Sequence, residues 1–561
     1  MLSYGMLRAY CEQQVPEWQW LHIEATIKNS VNDIANEVVE QAPDVVFATG
    51  YIFNLTRLLQ VCDLIKSQLP RILIILGGPT FLGDNQTFLH DNRQISGVMR
   101  GDESSAPQLL EAVRLNVVAL TSNTLHNQQI NRACALPVYE NILGFCWLNS
   151  AGVYCDNGIA EFDNDLDLLP SPFQTGLIAT DKPFCQLETS RGCNGKCQFC
   201  TSSESNGVKC FSLKRCRADL LAIRASGINE IRLIDRTFND RPERAVALLK
   251  MFRIEFAEMK FHLEINPAKL NNEIVECLGQ APVNQLHIEI GVQSLNPTVL
   301  KRIKRPASVS ATIAGLKQLL QIKRFELHAD LIAGLPEQNI DDILADIEQL
   351  MVIGPHEIQL ENLKLLPGTI LRRELPKGFH FNPQPLWEVL ETPMMRAIDL
   401  EYASQLSYII DSWYNTPQLH KCWRFAFNLI PNLLVDFYQF IIADIRLQRG
   451  KLPLDKRFAL LEKFCLDKSE QAAELCRFTM IANGFVHPDY KTTKVVDGQM
   501  DDCQIIWSLP KQYQVRRYIT MSCSFNAGDF FAGNNCQIIK QVHNYIFKLH
   551  YGRNVCSIIQ K

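Results

Sequence analysis

Three of the chain's 19 cysteines fall within eight residues, in the stretch SRGCNGKCQFC (Ser190–Cys200). Cys193, Cys197 and Cys200 follow a strand-like run with the spacing C-x3-C-x2-C. Thiols this close suit a metal. A structural zinc takes four ligands, so zinc would need a fourth group from elsewhere, with Cys185, Cys210 and Cys216 nearest in sequence. Thiolates also hold iron–sulfur clusters. Three of them on a four-iron cluster would leave one iron open to an outside ligand. The third option is three unrelated core thiols, since buried cysteine behaves as a small hydrophobe. Gly192 and Gly195 let such a loop wrap a bulky group.

The elements that must position this loop read as α/β. In the first third, APDVVFATG (Ala42–Gly50), RILIILGGP (Arg71–Pro79) and SGVMRGDES (Ser96–Ser104) are strand candidates, and helical patterns such as Asn54–Leu69 follow them. Unalternating apolar runs, each followed by a helix, indicate parallel strands covered on both faces. This predicts an open, doubly wound (Rossmann-like) sheet, a fold that binds ligands at the carboxyl ends of its strands. The stretch 117–181 is less regular, and DNDLDLLPSPF (Asp163–Phe173) reads as a linker. From Lys182 the alternation resumes with six strand candidates, Phe184–Ser190, Glu230–Phe238, Lys260–Asn266, Gln285–Gly291, Phe325–Gly334 and Glu357–Gly368. Six β/α repeats are too few for the eight-fold barrel and suit a partial (β/α)6 one. The remainder is helix-rich and then mixed, with Cys503, Cys523 and Cys536 spread through it. The predicted domains are 1–145, a linker at 146–181, 182–377, and 378–561.

Composition narrows the classes. With 56 basic against 60 acidic residues the net charge is −4, which argues against a dedicated nucleic-acid binder. No uncharged apolar stretch reaches the length that crosses a bilayer. The nearest, Phe427–Ile445, holds a proline and two aspartates and reads as a buried helix or helix pair. The scattered single cysteines, Cys11, Cys62, Cys134, Cys277, Cys422 and Cys556 among them, read as packing thiols in a cytoplasmic protein.

The cysteine spacing, with Phe199 before the last thiol, resembles that of the radical S-adenosylmethionine (SAM) enzymes. The resemblance implies a 4Fe-4S cluster on Cys193, Cys197 and Cys200, with SAM on the open iron. An electron from the cluster then cleaves SAM to a deoxyadenosyl radical. The strand ends resemble the family's in order. LIDRTFN suggests Asp235 and Thr237 beside the methionine moiety, although Asp-x-Thr after a strand is often a helix cap. HLEINP places Glu264 inward, and HIEIGVQSLNP resembles the ribose and carboxylate segment through Glu289, Gln293 and Ser294. DLIAGLP (Ile332, Gly334) and LKLLPGT (Leu366) resemble the segments around the adenine. A buried glutamate such as Glu289 could equally be an ion-pair partner.

The order of the parts resembles the cobalamin-binding subclass, including a C-terminal extension known from one branch. That implies cobalamin against Thr49, Gly50, Tyr51, Gly77, Gly78, Pro79, Gly101 and Glu103. There is no D-x-H-x-x-G stretch, which argues against histidine ligation. MLSYGMLRAYC reads as helix with no strand before it, so the first strand expected of the subclass is missing. Either the start is placed late or the domain is degenerate. The leading expectation is a cobalamin-dependent methyltransferase or a related radical reaction. A small molecule or peptide would be the substrate and flavodoxin or ferredoxin the electron donor. The rivals are a radical SAM enzyme without cobalamin and a non-catalytic protein stabilised by a metal.

Overall fold

The computed structural model describes residues 2–26, 28–123, 139–162, 165–177, 182–305, 308–446, 450–489, 504–507, 515–525, 538–550 and 556–560. Cys134, Cys503, Cys536 and part of the expected linker lie outside them. Two compact units emerge. The first is Met1–Leu327, Ile332–Ile343 and Asn362–Leu400; the second is His328–Leu331, Leu344–Glu361 and Glu401–Lys561.

In the first unit, β1 (Val45–Thr49), β2 (Leu73–Gly77) and β3 (Gly97–Met99) are parallel, with Thr49 opposite Gly77. Ile74, Leu76 and Val98 face a core with Cys62, Ile65 and Phe81 on one side of the sheet. Ile75 faces Leu109, Ala112 and Val113 on the other. Both faces are therefore covered, which is why the strands read as unbroken apolar runs. The sheet goes on through an antiparallel pair, β4 (Phe145–Leu148) and β5 (Tyr154–Asp156). These two strands lie in the stretch read as irregular. The order is β1-β2-β3-β4-β5, so β1 is an edge strand.

The second sheet contains all six predicted strands. They are β6 (Cys185–Leu187), β9 (Glu230–Leu233), β10 (Lys260–Glu264), β11 (Leu286–Gln293), β12 (Glu326–Ala333) and β13 (Glu357–Asn362). The order β13-β12-β11-β10-β9-β6 follows the chain, and the pairs β6–β9, β9–β10 and β10–β11 are parallel. Between β6 and β9 the short pair β7 (Ser190–Arg191) and β8 (Lys209–Cys210) brackets the cysteine loop. Strand β11 alternates buried and half-buried residues along LHIEIGVQ, so His287, Glu289, Gly291 and Gln293 share the polar face. A small pair, β14 (His380–Phe381) and β15 (Val389–Glu391), completes the strands of this unit.

The second unit packs helices around Trp413, Trp423, Phe437 and Phe464, whose rings meet edge to face. Its sheet, of β16 (Gln504–Trp507), β17 (Val515–Phe525), β18 (Ile538–His550) and β19 (Cys556–Gln560), has the order β16-β19-β18-β17. The apolar stretch 427–445 falls on two helices, Pro417–Leu429 and Leu433–Arg446, bent by 115° at their junction. No single described helix is long and apolar enough to cross a membrane.

Candidate active site

The end of β6 and the turn after β9 are locked together first. Asp235 accepts from the Thr189 and Ser190 backbone N–H groups at 2.7 and 3.0 Å and from the Thr189 hydroxyl. It is 3% exposed, and burial raises its carboxyl above the usual range while those donors pull it back. Asp235 is thus committed to the scaffold rather than turned to a ligand. β7 then pairs with β8, and Gly192 follows at φ 88. A Cβ there would collide with the Gly207 carbonyl, so only glycine fits.

The loop is held at its middle as well. Gln198 N–H donates to Ile303 O, and Leu371 N–H donates to Gln198 O, both at 2.9 Å. The Ser205 hydroxyl accepts from Cys193 N–H and donates to backbone carbonyls. Each sulfur then receives an N–H: Gly195 to Cys193 Sγ at 3.2 Å, Ser202 to Cys200 Sγ at 3.4 Å, and Arg305 Nη1 to Cys197 Sγ at 3.7 Å. Burial pushes the Cys197 thiol up, and Arg305 opposes that rise. The Cβ position of Gly195 lies 3.2 Å from Cys193 Sγ and 3.9 Å from Cys197 Sγ, so the two sulfurs converge on it.

All three cysteines border one cavity of about 200 Å³. Phe199, Thr237, Glu264 and Gln293 line it as the sequence expects, with Arg236, Asn266, Lys269, Gly291 and Arg305 added. Gln293 has φ 69, a strained setting for a non-glycine residue. Arg305, in the basic run KRIKRP, is the main residue the sequence reading missed; nothing in that run distinguishes it from a solvated charge. The other candidate residues lie off this cavity. Glu289 Oε2 accepts from His262 Nε2 at 2.8 Å and lies off the cavity. Ser294, 1% exposed, receives the Asn296 N–H. Ile332 and Gly334 do not line this cavity, and Gly334 N–H bonds Gln338. Leu366 packs against the core of the N-terminal sheet.

This donor set fits an iron–sulfur cluster. The three thiols border one cavity, two of the sulfurs converge on Gly195, and among the described residues no group of three or more His, Cys, Asp or Glu side chains is placed to hold a single ion. The candidate fourth zinc ligands sit elsewhere. Cys216 is buried and faces Arg244, Cys185 bonds its own strand, and neither these nor Cys210 lines the cavity.

A second cavity, of about 350 Å³, lies at the carboxyl ends of β1–β3 and along β1. Thr49, Gly77, Gly78, Gly101 and Glu103 line it. Gly50, Tyr51 and Pro79 do not: a Cβ on Gly50 would meet Phe81, Tyr51 stacks on Phe53, and Pro79 opens a 3-10 turn. At Gly101 a Cβ would meet the Ala160 backbone, which crosses it. Two donors on the cavity wall, Trp18 Nε1 and Trp20 Nε1, are buried without a hydrogen-bond partner. Orphaned donors on an apolar wall fit a ligand rich in acceptors, such as the amide-fringed corrin.

The Radical SAM superfamily profile matches residues 187–350. An uncharacterised methyltransferase from Pyrococcus horikoshii is 23% identical over 352 residues, 61% of this chain and 71% of that protein. The cobalamin-dependent radical SAM methyltransferase TokK of Streptomyces tokunonensis is 23% identical over 390 residues, 66% of this chain and 54% of TokK, so the chain spans about half of TokK's length. The structure of the radical SAM methyltransferase TsrM from Kitasatospora setae, with cobalamin and a [4Fe-4S] cluster bound, superposes with a TM-score of 0.52 at 13% identity, covering 72% of this chain and 78% of TsrM. At that identity the likeness is one of fold.

Proposed function

The chain carries a radical SAM domain over residues 187–350, and on that premise we propose that it uses cobalamin as well and methylates an unactivated carbon. The supporting observation is the pair of cavities within one compact unit, one bordered by three thiols and one at the carboxyl ends of a Rossmann-like sheet. When bound, the cluster with SAM supplies a carbon-centred radical, and cobalamin supplies a transferable methyl group.

The protein's own residues prepare the site. The N–H groups of Gly195 and Ser202 and the Arg305 guanidinium offset the charge of the thiolates. Glu264 offers an anion to the ammonium group of SAM, and Arg236, Lys269 and Arg305 offer cations to its carboxylate. Phe199 and Gln293 close the wall, and Thr237 Oγ1 lies 4.0 Å from Cys193 Sγ. In the N-terminal cavity, Trp18 and Trp20 would donate to the corrin periphery, with Thr49, Gly77 and Gly78 beneath it. Cleavage of SAM consumes one electron, so a reductant is required, and a flavodoxin- or ferredoxin-type donor fits. The substrate is taken to be a small molecule or a peptide. Fifteen cysteines are free thiols among the described side chains.

The test is anaerobic reconstitution with iron and sulfide, reduction, and assay for 5′-deoxyadenosine, together with equilibrium titration of hydroxocobalamin. The proposal expects about four irons per chain, deoxyadenosine release and saturable corrin binding. Zinc in place of iron, or no deoxyadenosine, overturns the catalytic reading. Deoxyadenosine without corrin binding would leave a radical SAM enzyme that works without cobalamin.

A further inference from the structure

Three carboxylates converge on one guanidinium, and two of them belong to the wall of the N-terminal cavity. Arg191 Nη2 donates to Glu103 Oε1 at 2.9 Å, and its Nε donates to Glu188 Oε2 at 2.8 Å. The third nitrogen, Nη1, lies 3.8 Å from Asp102 Oδ2, too far to bond, and has no hydrogen-bond partner. The side chains of Arg191 and Glu103 are 17% and 10% exposed. Asp102 and Glu103 line the cavity, whereas Arg191 stands two residues before Cys193. Gly192 between them is wedged against Gly207, so the backbone has no slack to absorb a movement of Arg191.

The arginine holds no iron and lines neither the cavity nor the thiol site. As a stabiliser it is a poor choice, because desolvating charges cancels most of their attraction. Its geometry suits a switch better. The fork has one branch unmade and an acceptor just out of reach. A small shift of the Asp102–Glu103 turn would complete it and draw the start of the cysteine loop with it. Coupling between sites requires an element with two settings, and closing this unmade branch onto Asp102, which already accepts from Ser104 and Phe162 N–H groups, would be the second.

We propose that Arg191 couples the two cofactor sites, so that cobalamin in the N-terminal cavity and SAM at the thiol site each tighten the binding of the other. The inference rests on reading the N-terminal cavity as the cobalamin site. A ligand packed on the wall fixes Asp102 and Glu103, these fix Arg191, and Arg191 fixes the loop that presents Cys193 and Cys197. Order imposed by the first ligand need not be imposed again for the second. The coupling is reciprocal by thermodynamic necessity.

The experiment uses the full chain with its cluster reconstituted and left oxidised, so that SAM is bound and not cleaved. The Kd of hydroxocobalamin is measured with and without saturating SAM, and the Kd of SAM with and without saturating hydroxocobalamin. Wild type is expected to tighten about ten-fold in both directions, within the usual range for coupled sites. In Arg191→Lys and in Glu103→Gln the factor should fall to about two or less, whatever happens to each Kd alone, since lysine lacks the branched fork. A change in Tm without loss of the factor would make Arg191 merely structural and overturn the proposal. So would a wild-type factor near one. Absence of saturable hydroxocobalamin binding overturns the cavity reading and this inference together, whereas binding without coupling overturns this inference alone.

Discussion

Cys197 is the most buried of the three thiols at 8% exposed, and it alone faces a guanidinium. Cys197→Ala should therefore abolish cluster loading and also cost about 1–2 kcal/mol, since it strands Arg305 Nη1. Iron content and the cluster absorbance report the first effect, and a Tm a few degrees lower reports the second. A loop lying on the surface would give only the first. Arg305 itself invites a redox test. Donors to cluster sulfurs favour the more negative, reduced form. Arg305→Gln should make the cluster harder to reduce, cutting the reduced-to-oxidised ratio at a fixed potential by about ten-fold, or ~59 mV for one electron. An unchanged midpoint would deny Arg305 that role. Glu188 carries a pH signature: burial, partly offset by Arg191, raises its carboxyl to about 7. A raised carboxyl binds its proton more tightly in the folded state, so folding stability falls as pH climbs from about 4.5 to about 7. Glu188→Gln should flatten that slope, sparing on the order of 2 kcal/mol at pH 8, as read from denaturant midpoints at pH 5 and pH 8. At this scale the sequence exposed the thiols, Phe199, Thr237, Glu264 and Gln293, because motif and alternation constrain them. It could not separate Asp235 and Glu289 from ligands. A carboxylate at a strand end looks the same whether it caps a neighbouring backbone or meets a cofactor.

The elements around the loop differ in how openly the sequence announces them. The six strands of the larger sheet were legible because each is an apolar or alternating run with a helix behind it. β4 and β5 were not, being 4 and 3 residues long and paired only through tertiary context. β7 and β8, of 2 residues each, have no sequence signal beyond the glycine at their end, yet they set the angle of the cysteine loop. That makes Gly192 the most sensitive point of the element. Gly192→Ala must place a Cβ against the Gly207 carbonyl at positive φ, a strain of about 1–3 kcal/mol. The expected result is a hairpin that opens locally: iron per chain falls by half or more, and limited trypsin digestion cuts at Lys196 or Lys209 while the circular dichroism spectrum is retained. Full iron loading with wild-type digestion would mean the hairpin does not set the loop. β1 is an edge strand, and the segment Trp18–Ile23 lines the cavity beside it.

At the scale of the whole molecule, both candidate cofactor sites belong to the first compact unit, whereas the helical and antiparallel part from Glu401 onward belongs to the second, together with His328–Leu331 and Leu344–Glu361. The sequence divided the chain by composition, near residue 378. By packing, residues up to Leu400 join the first unit apart from His328–Leu331 and Leu344–Glu361: Trp387 belongs to the core of the N-terminal sheet and Val389 packs at Gly334. Such long-range contacts leave no periodic trace in the chain. The division has a thermodynamic consequence. A ligand stabilises only the unit whose folded form it binds, by about 2.7 kcal/mol at a hundred times its Kd. Scanning calorimetry of the reconstituted protein should resolve two transitions. Adding hydroxocobalamin or SAM should raise one of them by a few degrees and leave the other in place. The transition that moves should also be the one lowered by Cys197→Ala. If both transitions shift equally, or if the unit from Glu401 onward carries the response, the cofactors engage residues beyond the two cavities, and the C-terminal part belongs to the binding machinery.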